Sequence, residues 1–116
     1  MKFKLVLAMV NDDRSDAIVE KARELGATGA TVITSARGEG MKPSKTFFGL
    51  TLEGQVDVAL FVVEEHLSRK IVEGIAEAGD FENSKGAGVV LQIDIEDAIG
   101  LKSQLNAIKE EIEEQL

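Results

Sequence analysis

The sequence predicts one α+β domain in which two strand-helix-strand halves share an antiparallel sheet. The chain has 116 residues, the usual size of one domain. Strand-type alternation is followed by helix-type spacing twice along the chain. The two halves also repeat each other, since Leu7 and Leu60, like Val10 and Val63, are the same residue 53 positions apart. Because right-handed crossovers place both helices on one side of a sheet, we expect a ferredoxin-like βαββαβ fold with a further C-terminal helix.

The first half shows this order clearly. Residues 2–10 alternate between apolar and other side chains, which predicts a strand. Residues 11–13 are Asn-Asp-Asp and supply caps for a helix whose apolar residues recur at i, i+4 and i+7. Gly26 is expected to end that helix in a left-handed conformation, and residues 29–36 to form the second strand.

The second half follows the same order with a longer loop before its last strand. Residues 55–63 predict a strand, Glu64 and Glu65 the cap of a second helix, and residues 89–94 the final strand. Between residues 2–26 and their counterparts, eight of 25 positions are identical, where average residue usage gives about one or two. The eight pairs are Leu7/Leu60, Val10/Val63, Ser15/Ser68, Ile18/Ile71, Val19/Val72, Glu20/Glu73, Glu24/Glu77 and Gly26/Gly79.

Both faces of the predicted sheet are apolar, although two helices cover only one of them. We expect the helices on the face made by Phe3, Leu5, Leu7, Val56, Val58 and Leu60. The opposite parity holds Val6, Ala8, Val10, Ala59, Phe61 and Val63. An apolar face of this size usually marks an interface, which predicts a homo-oligomer. The alternative is that the C-terminal segment covers it, since residues 101–116 predict an acidic amphipathic helix with Leu101, Leu105, Ile108 and Ile112 on one stripe.

The overall charge excludes several classes of function. The net charge is -8, and an acidic surface repels nucleic-acid phosphates and anionic lipid headgroups. The absence of cysteine excludes disulfides and thiolate metal sites. The apolar run that ends at Val10 is too short to span a bilayer, so we expect a cytoplasmic protein with no direct membrane insertion.

Two glycine-rich segments are the candidate ligand and partner sites. Residues 38–54 connect the halves, a length that is often functional. Their Lys45, Phe47 and Phe48 could contact a partner protein or pack into a neighbouring subunit. The candidate cradle for an anion such as phosphate combines glycines with cations, namely Arg37, Gly38, Gly40 and Lys42 at the start of that loop and Lys85, Gly86 and Gly88 before the last strand.

Three stretches together resemble the PII nitrogen-regulatory proteins. They are GATGATVITSARGEG at residues 26–40, VDVALFVV at residues 56–63 and IVEGIAEAG at residues 71–79. The long loop precedes the second stretch, and a glycine-rich loop and the last strand follow the third. The resemblance extends to Leu101. It implies a homotrimer of ferredoxin-like domains, here residues 1–100, whose long T-loop at about 38–54 docks on a transporter or enzyme that it regulates.

The resemblance also implies an effector site between subunits for an adenine nucleotide, ADP, AMP or ATP. It places the contacts at Thr31, Arg37, Gly38, Gly40, Gly86 and Gly88. The usual Gly-Asp-Gly-Lys of the family is here Gly86-Ala87-Gly88-Val89, and the chain has no tyrosine for the modification known in the family. A signalling protein rather than an enzyme is expected.

Two other interpretations stay open from the residues alone. One is a scaffold without a ligand, which would also explain why the lysine of the family's Gly-Asp-Gly-Lys is replaced by Val89. An acylphosphatase-type hydrolase on the same fold would need an arginine cradle beside an asparagine, and Asn11, Asn83 and Asn106 are far in sequence from such a loop. His66, the only histidine, is interpreted as a solvated or capping residue, and no metal site is expected.

Overall fold

A computed structural model describes residues 2–34, 44–47, 50–53, 56–84, 86–101 and 105–115 of the chain. Two βαβ halves are present in the predicted order, and a hairpin lies between them. The elements are β1 (Phe3–Asn11), a 3₁₀ turn (Asp12–Arg14), α1 (Ser15–Glu24), β2 (Thr31–Thr34), β3 (Ser44–Phe47), β4 (Leu50–Glu53), β5 (Val56–Glu64), α2 (Glu65–Ala78), β6 (Gly88–Asp94) and α3 (Leu105–Gln115).

The sheet confirms the predicted ferredoxin-like fold. Its strand order is β2-β5-β1-β6, and all neighbouring strands are antiparallel. In the middle of the sheet, Leu7 of β1 lies opposite both Leu60 of β5 and Leu91 of β6. The strands β1, β5 and β6 together with α1 and α2 enclose the core, and β2 is the short strand at the opposite edge from β6.

The assignment of the two sheet faces from the sequence was wrong. The face that α1 and α2 cover is the one predicted to be open, with Val6, Ala8, Val10, Ala59, Phe61 and Val63 all buried against Ile18, Ala22, Leu67, Ile71 and Ile75. Ala8 and Ala59 are small enough for helices to approach the sheet closely, whereas longer side chains fill the other parity. Periodicity alone could not choose between two apolar faces.

The helix boundaries follow local chemistry. Gly26 has a φ of +115°, which confirms the predicted left-handed stop after α1. The Glu64 carboxylate accepts a hydrogen bond from the backbone N–H of His66 at 2.8 Å and caps α2 as expected. The side-chain caps predicted from residues 11–13 were wrong: a 3₁₀ turn precedes α1, and the N-cap positions of the turn and of α1, Asn11 and Arg14, make no side-chain cap hydrogen bond.

The described part of the C-terminal segment covers only part of the open face of the sheet, where Gly100 and Leu101 lie near Leu5 and Leu60. Leu101, predicted within the helix, precedes α3 and is half-buried. In α3, Ile112 packs against the core, and the Gln115 side chain donates to the carbonyl of Glu24 at 3.0 Å. The C-terminal end of α3 therefore lies near the end of α1 and near Lys70 of α2, and α3 also contacts β5. None of the helices in the described ranges is long and apolar enough to cross a membrane.

A short antiparallel hairpin occupies part of the long connection that we predicted as irregular. Ser44 of β3 pairs with Glu53 of β4, and Phe47 pairs with Leu50. Threonine, phenylalanine and leucine favour strands, and the glycines and the proline around them hid that preference. The segment proposed for partner contact thus contains regular backbone structure.

Candidate functional site

Of the predicted ligand contacts, the structure describes Thr31, Gly86 and Gly88. Thr31 begins β2 and lies opposite Leu60, on the face of the sheet that the helices do not cover. The predicted residues Arg37, Gly38, Gly40, Lys42, Phe48 and Lys85 lie outside the described residues. Lys45 and Phe47 belong to the backbone of β3, and their side chains also lie outside the described part.

A cavity of about 520 Å³ opens on the uncovered face beside Thr31. Its walls are mostly apolar, and among the described lining residues only Thr28 and Thr31 have a polar side chain. The described residues that line it are Leu5, Thr28, Gly29, Ala30, Thr31, Leu60, Val62, Gly100 and Leu101. Sequence reasoning found Thr31 but missed the leucines, because it placed that parity under the helices. Among the described residues no charged side chain lines the cavity, so it suits an uncharged, partly apolar group.

The second glycine segment forms the end of a loop at residues 79–88, here called the 79–88 loop. Gly86 has a φ of +70°, which favours glycine, and Gly88 is the first residue of β6. A Cβ on Gly88 would lie 2.5 Å from the carbonyl oxygen of Met9 and 2.7 Å from the ring of Phe81. Gly88 is therefore required by packing, whatever its part in ligand contact.

The turn that begins the 79–88 loop is held by polar contacts. The Asp80 carboxylate accepts from the Ser84 hydroxyl at 2.8 Å and from the Asn83 amide at 3.1 Å. These two hydrogen bonds, and the charge of Arg14, lower the pKa of the Asp80 carboxyl, while desolvation opposes the shift. The carboxylate form of Asp80 is thus the one that the folded turn favours.

One chain does not bring Thr31 and Gly88 together. Thr31 lies on β2 at one edge of the sheet, and Gly88 lies on β6 at the other, with β5 and β1 between them. Three strand spacings amount to about 14 Å before the offset along the strands is added. A ligand shorter than this separation that touches both edges has to lie between two copies of the chain.

Two buried oxygens lie at the end of the sheet where β6 begins with Gly88, and both lack a donor among the described residues. They are Asn11 Oδ1 and Asp57 Oδ1. Asp57 lies opposite Val10 in β1 and is 6% exposed. Its other oxygen accepts from the Ser15 hydroxyl at the start of α1. Buried acceptors usually have partners, so this end of the sheet has unused hydrogen-bonding capacity.

Other charged groups lie away from these positions. His66 Nδ1 contacts the Glu64 carboxylate, and Glu64, Glu65 and His66 hold possible metal-ligand atoms within 4.8 Å of one another. They lie at the end of the sheet remote from Gly88, because Glu64 pairs with Phe3.

A second groove of about 600 Å³ lies beside α2 and includes the carboxylates of Glu73, Glu77, Asp80 and Glu82.

A comparison with known protein families identifies the family of this chain. The model of the family "Nitrogen regulatory protein P-II" matches residues 3–105. The chain belongs to the P-II family. The match runs from the first residue of β1 to the first residue of α3, so it covers both βαβ halves and the connection between them. No curated protein matches this P-II chain in sequence.

Two solved structures are similar in fold. A PII-like signalling protein from Thermus thermophilus is 24% identical, with a TM-score of 0.57 over 82% of this chain and 90% of that one. CPII from Thiomonas intermedia, whose structure is bound to ADP, AMP and acetate, is 19% identical, with a TM-score of 0.60 over 85% of this chain and 94% of that one. At these identities the likeness shows the ferredoxin-like fold of the P-II chain.

Proposed function

We propose that this P-II protein is a signalling subunit that binds an adenine nucleotide between two copies of itself and regulates a partner through residues 38–54. The observation that supports this most is the cavity beside Thr31, whose lining combines leucine and valine side chains with two threonines. An adenine ring has the matching character, since its faces are apolar and its edges donate and accept hydrogen bonds. The ADP and AMP bound by CPII agree with this choice.

The need for a second copy follows from the arrangement of the edges. The cavity borders β2, while Gly86 and Gly88 precede or begin β6 on the far edge. The apolar open face gives two copies a reason to associate, because side chains such as Leu7 and Leu91 are only half-buried in the single chain. We therefore propose a homotrimer whose neighbouring copies bring a β2 edge and a β6 edge together.

The predicted cations and glycines complete the proposal. Arg37, Gly38, Gly40 and Lys42 follow β2, and Lys85 precedes Gly86, so each edge has cationic or glycine residues close by in sequence. We propose that they hold the phosphate groups of the nucleotide, and that Lys45, Phe47 and Phe48 contact the regulated transporter or enzyme. No catalytic step is part of this proposal, and we expect the protein to act in the cytoplasm.

The nucleotide part is tested by calorimetry and thermal unfolding of the nucleotide-free protein with ATP, ADP, AMP, cyclic AMP and oxoglutarate. A ligand at 100 times its Kd stabilises the folded protein by about 2.7 kcal/mol, which raises Tm by on the order of 10 °C for a chain of this size. We expect at least one adenine nucleotide to produce such a shift. Flat curves for every nucleotide would contradict the proposal and favour a scaffold.

A matched pair of variants locates the site. Thr31→Val removes the hydroxyl beside the cavity, and loss of one hydrogen bond of about 1 kcal/mol raises Kd about fivefold. Thr34→Val makes the same change at the other end of β2, outside the residues that line the cavity, and should leave Kd unchanged. Equal effects of both changes would place the nucleotide elsewhere.

The regulatory part is tested on residues 38–54 themselves. Trypsin can cleave after Arg37 and Lys45, so limited digestion reports on this segment directly. If the segment signals nucleotide occupancy, saturating nucleotide should change the rate of cleavage at Lys45 by a different factor from that at Arg69, on α2, where cleavage reports only unfolding of the folded domain. The same rate with and without nucleotide would separate binding from signalling and contradict the regulatory role.

A further inference from the structure

Arg14 is the last residue of the 3₁₀ turn, immediately before α1, and its side chain reaches the C-terminal end of α2. One terminal nitrogen of its guanidinium donates to the carbonyl of Gly79, which follows the last residue of α2. The other terminal nitrogen lies 3.4 Å from the Ser84 hydroxyl. The planar fork of the guanidinium thus spans two acceptors of the 79–88 loop that are five positions apart.

Ser84 passes this contact on to the glycine end of the loop. Its hydroxyl donates to the Asp80 carboxylate at 2.8 Å, which closes the first part of the loop into a turn. Its carbonyl accepts from the backbone N–H of Ala87 at 3.1 Å. The orientation of the backbone between Gly86 and Gly88 therefore depends on where Ser84 is held.

The strand β1 holds the same backbone from the other side. The Asn11 side-chain amide donates to the carbonyl of Gly86, and the Asn11 backbone N–H donates to the carbonyl of Ala87, both at 3.4 Å. Beneath the loop, the Phe81 ring packs so closely against Gly79 and Gly88 that neither could bear a Cβ without displacement. The loop is thus held on three sides.

We propose that Arg14 is a positioning residue for nucleotide binding: it sets the backbone at residues 86–88 without touching the ligand. This inference rests on the proposed function, in which Gly86 and Gly88 contact the nucleotide. A simple helix-end role predicts that any cation at residue 14 suffices, because a positive charge at a helix C-terminus is favourable. Positioning instead requires the two-pronged contact, which a single lysine ammonium does not reproduce.

The substitution Arg14→Lys separates these roles, with Arg69→Lys as its matched control, since Arg69 lies on exposed α2 surface and pairs with Glu73. Amide hydrogen exchange in the nucleotide-free protein reports on the loop directly. We expect Arg14→Lys to speed the exchange of the Ala87 amide about tenfold, to leave the amides that join β1 to β5 unchanged, and to raise the Kd of the bound nucleotide about fivefold. Arg69→Lys should change none of these.

Ser84→Ala is a second variant that leaves the contact between Arg14 and Gly79 in place and should give the same pattern at Ala87. If the Ala87 amide exchanges at the parent rate in both Arg14→Lys and Ser84→Ala, the inference is overturned. Faster exchange with an unchanged Kd would also overturn it, because the loop would then have no part in binding. If the unaltered protein binds no adenine nucleotide, the proposed function fails, while the exchange of Ala87 still decides whether Arg14 positions the loop.

Discussion

The two faces of the sheet are equally apolar in sequence but differ in what covers them. Beneath α1 and α2, Val6, Ala8 and Phe61 are at most 1% exposed. On the opposite face, Ile33 and Ile93 are 53% and 43% exposed, and side chains between them such as Leu7 are half-buried. The described helices leave this second face without a comparable cover.

This difference separates the residues that stabilise the folded chain from those that are available to contact another copy or a ligand. Small and branched side chains on the covered face allow close contact with the helices, and their burial is complete within one chain. On the open face, the long side chains border the cavity beside Thr31 and extend across all four strands. The covered face should therefore control stability, and the open face should control association.

The largest effect is expected on the covered face. Phe61→Ala removes the largest fully buried side chain among the described residues, and such truncations cost about 3–5 kcal/mol. Urea denaturation should show this loss as a lower midpoint. The control Ile93→Ala, on the open face at the edge strand, should cost about 1 kcal/mol or less. Equal losses would show that the two faces contribute alike to folding.

The open face is tested by Leu7→Asp, which places a charge between Leu60 and Leu91. Burying an unpaired carboxylate costs several kcal/mol, so association of copies through this face should be lost. Light scattering should show the mass falling from that of an oligomer to that of a monomer, with an unchanged circular dichroism spectrum. Ala17→Asp, on the exposed side of α1, is the control that should keep the oligomer. If the unaltered protein is itself a monomer, the expectation that the open face controls association is wrong.

A smaller effect is expected where the 79–88 loop meets β1. Gly88→Ala brings a methyl group within 2.5 Å of the Met9 carbonyl and 2.7 Å of the Phe81 ring, and such overpacking costs about 1–3 kcal/mol. The control Gly29→Ala has open space around its Cβ and an ordinary backbone conformation, so its stability should stay equal or rise. Thermal unfolding compares the two. A neutral Gly88→Ala would mean that Phe81 moves aside freely.

The smallest effect concerns the acid sensitivity of the same loop. Because the pKa of Asp80 is lowered in the folded protein, its carboxylate stabilises the fold above the unfolded pKa of about 3.9, and this contribution is lost as pH falls through the folded pKa. Asp80→Asn should therefore flatten the loss of stability below about pH 4, measured by urea midpoints. Asp16→Asn serves as the control for removing one exposed acidic charge. The same acid slope in both variants would contradict this role of Asp80.

Most of the architecture could be predicted because it depends on local patterns. Alternation in residues 2–10 and 55–63, the stop at Gly26 and the cap at Glu64 are decided by neighbours in sequence, and the structure confirms each of them. Asn11 forms no cap: its side-chain amide instead donates to the carbonyl of Gly86, 75 positions away, and its Oδ1 has no donor among the described residues. No local pattern contains a partner at that distance.

The candidate site shows the same division. Glycines and Thr31 were visible in the sequence, and the family resemblance from the same residues is confirmed by the family match. The cavity walls were not visible, because Leu5 and Leu60 have the same period whichever face the helices cover. Likewise, the separation of Thr31 from Gly88 across the sheet follows only from the strand order.

The sequence by itself determined the order of strands and helices within the two βαβ halves, the internal duplication and the family, because each depends on residue spacing along the chain. Only the tertiary structure decided which face of the sheet became the core and which contacts orient the 79–88 loop. The physical reason is that both faces offer similar apolar area, so transfer from water favours them alike. The choice between them depends on how closely α1 and α2 pack on Ala8 and Ala59, a property of shape in three dimensions.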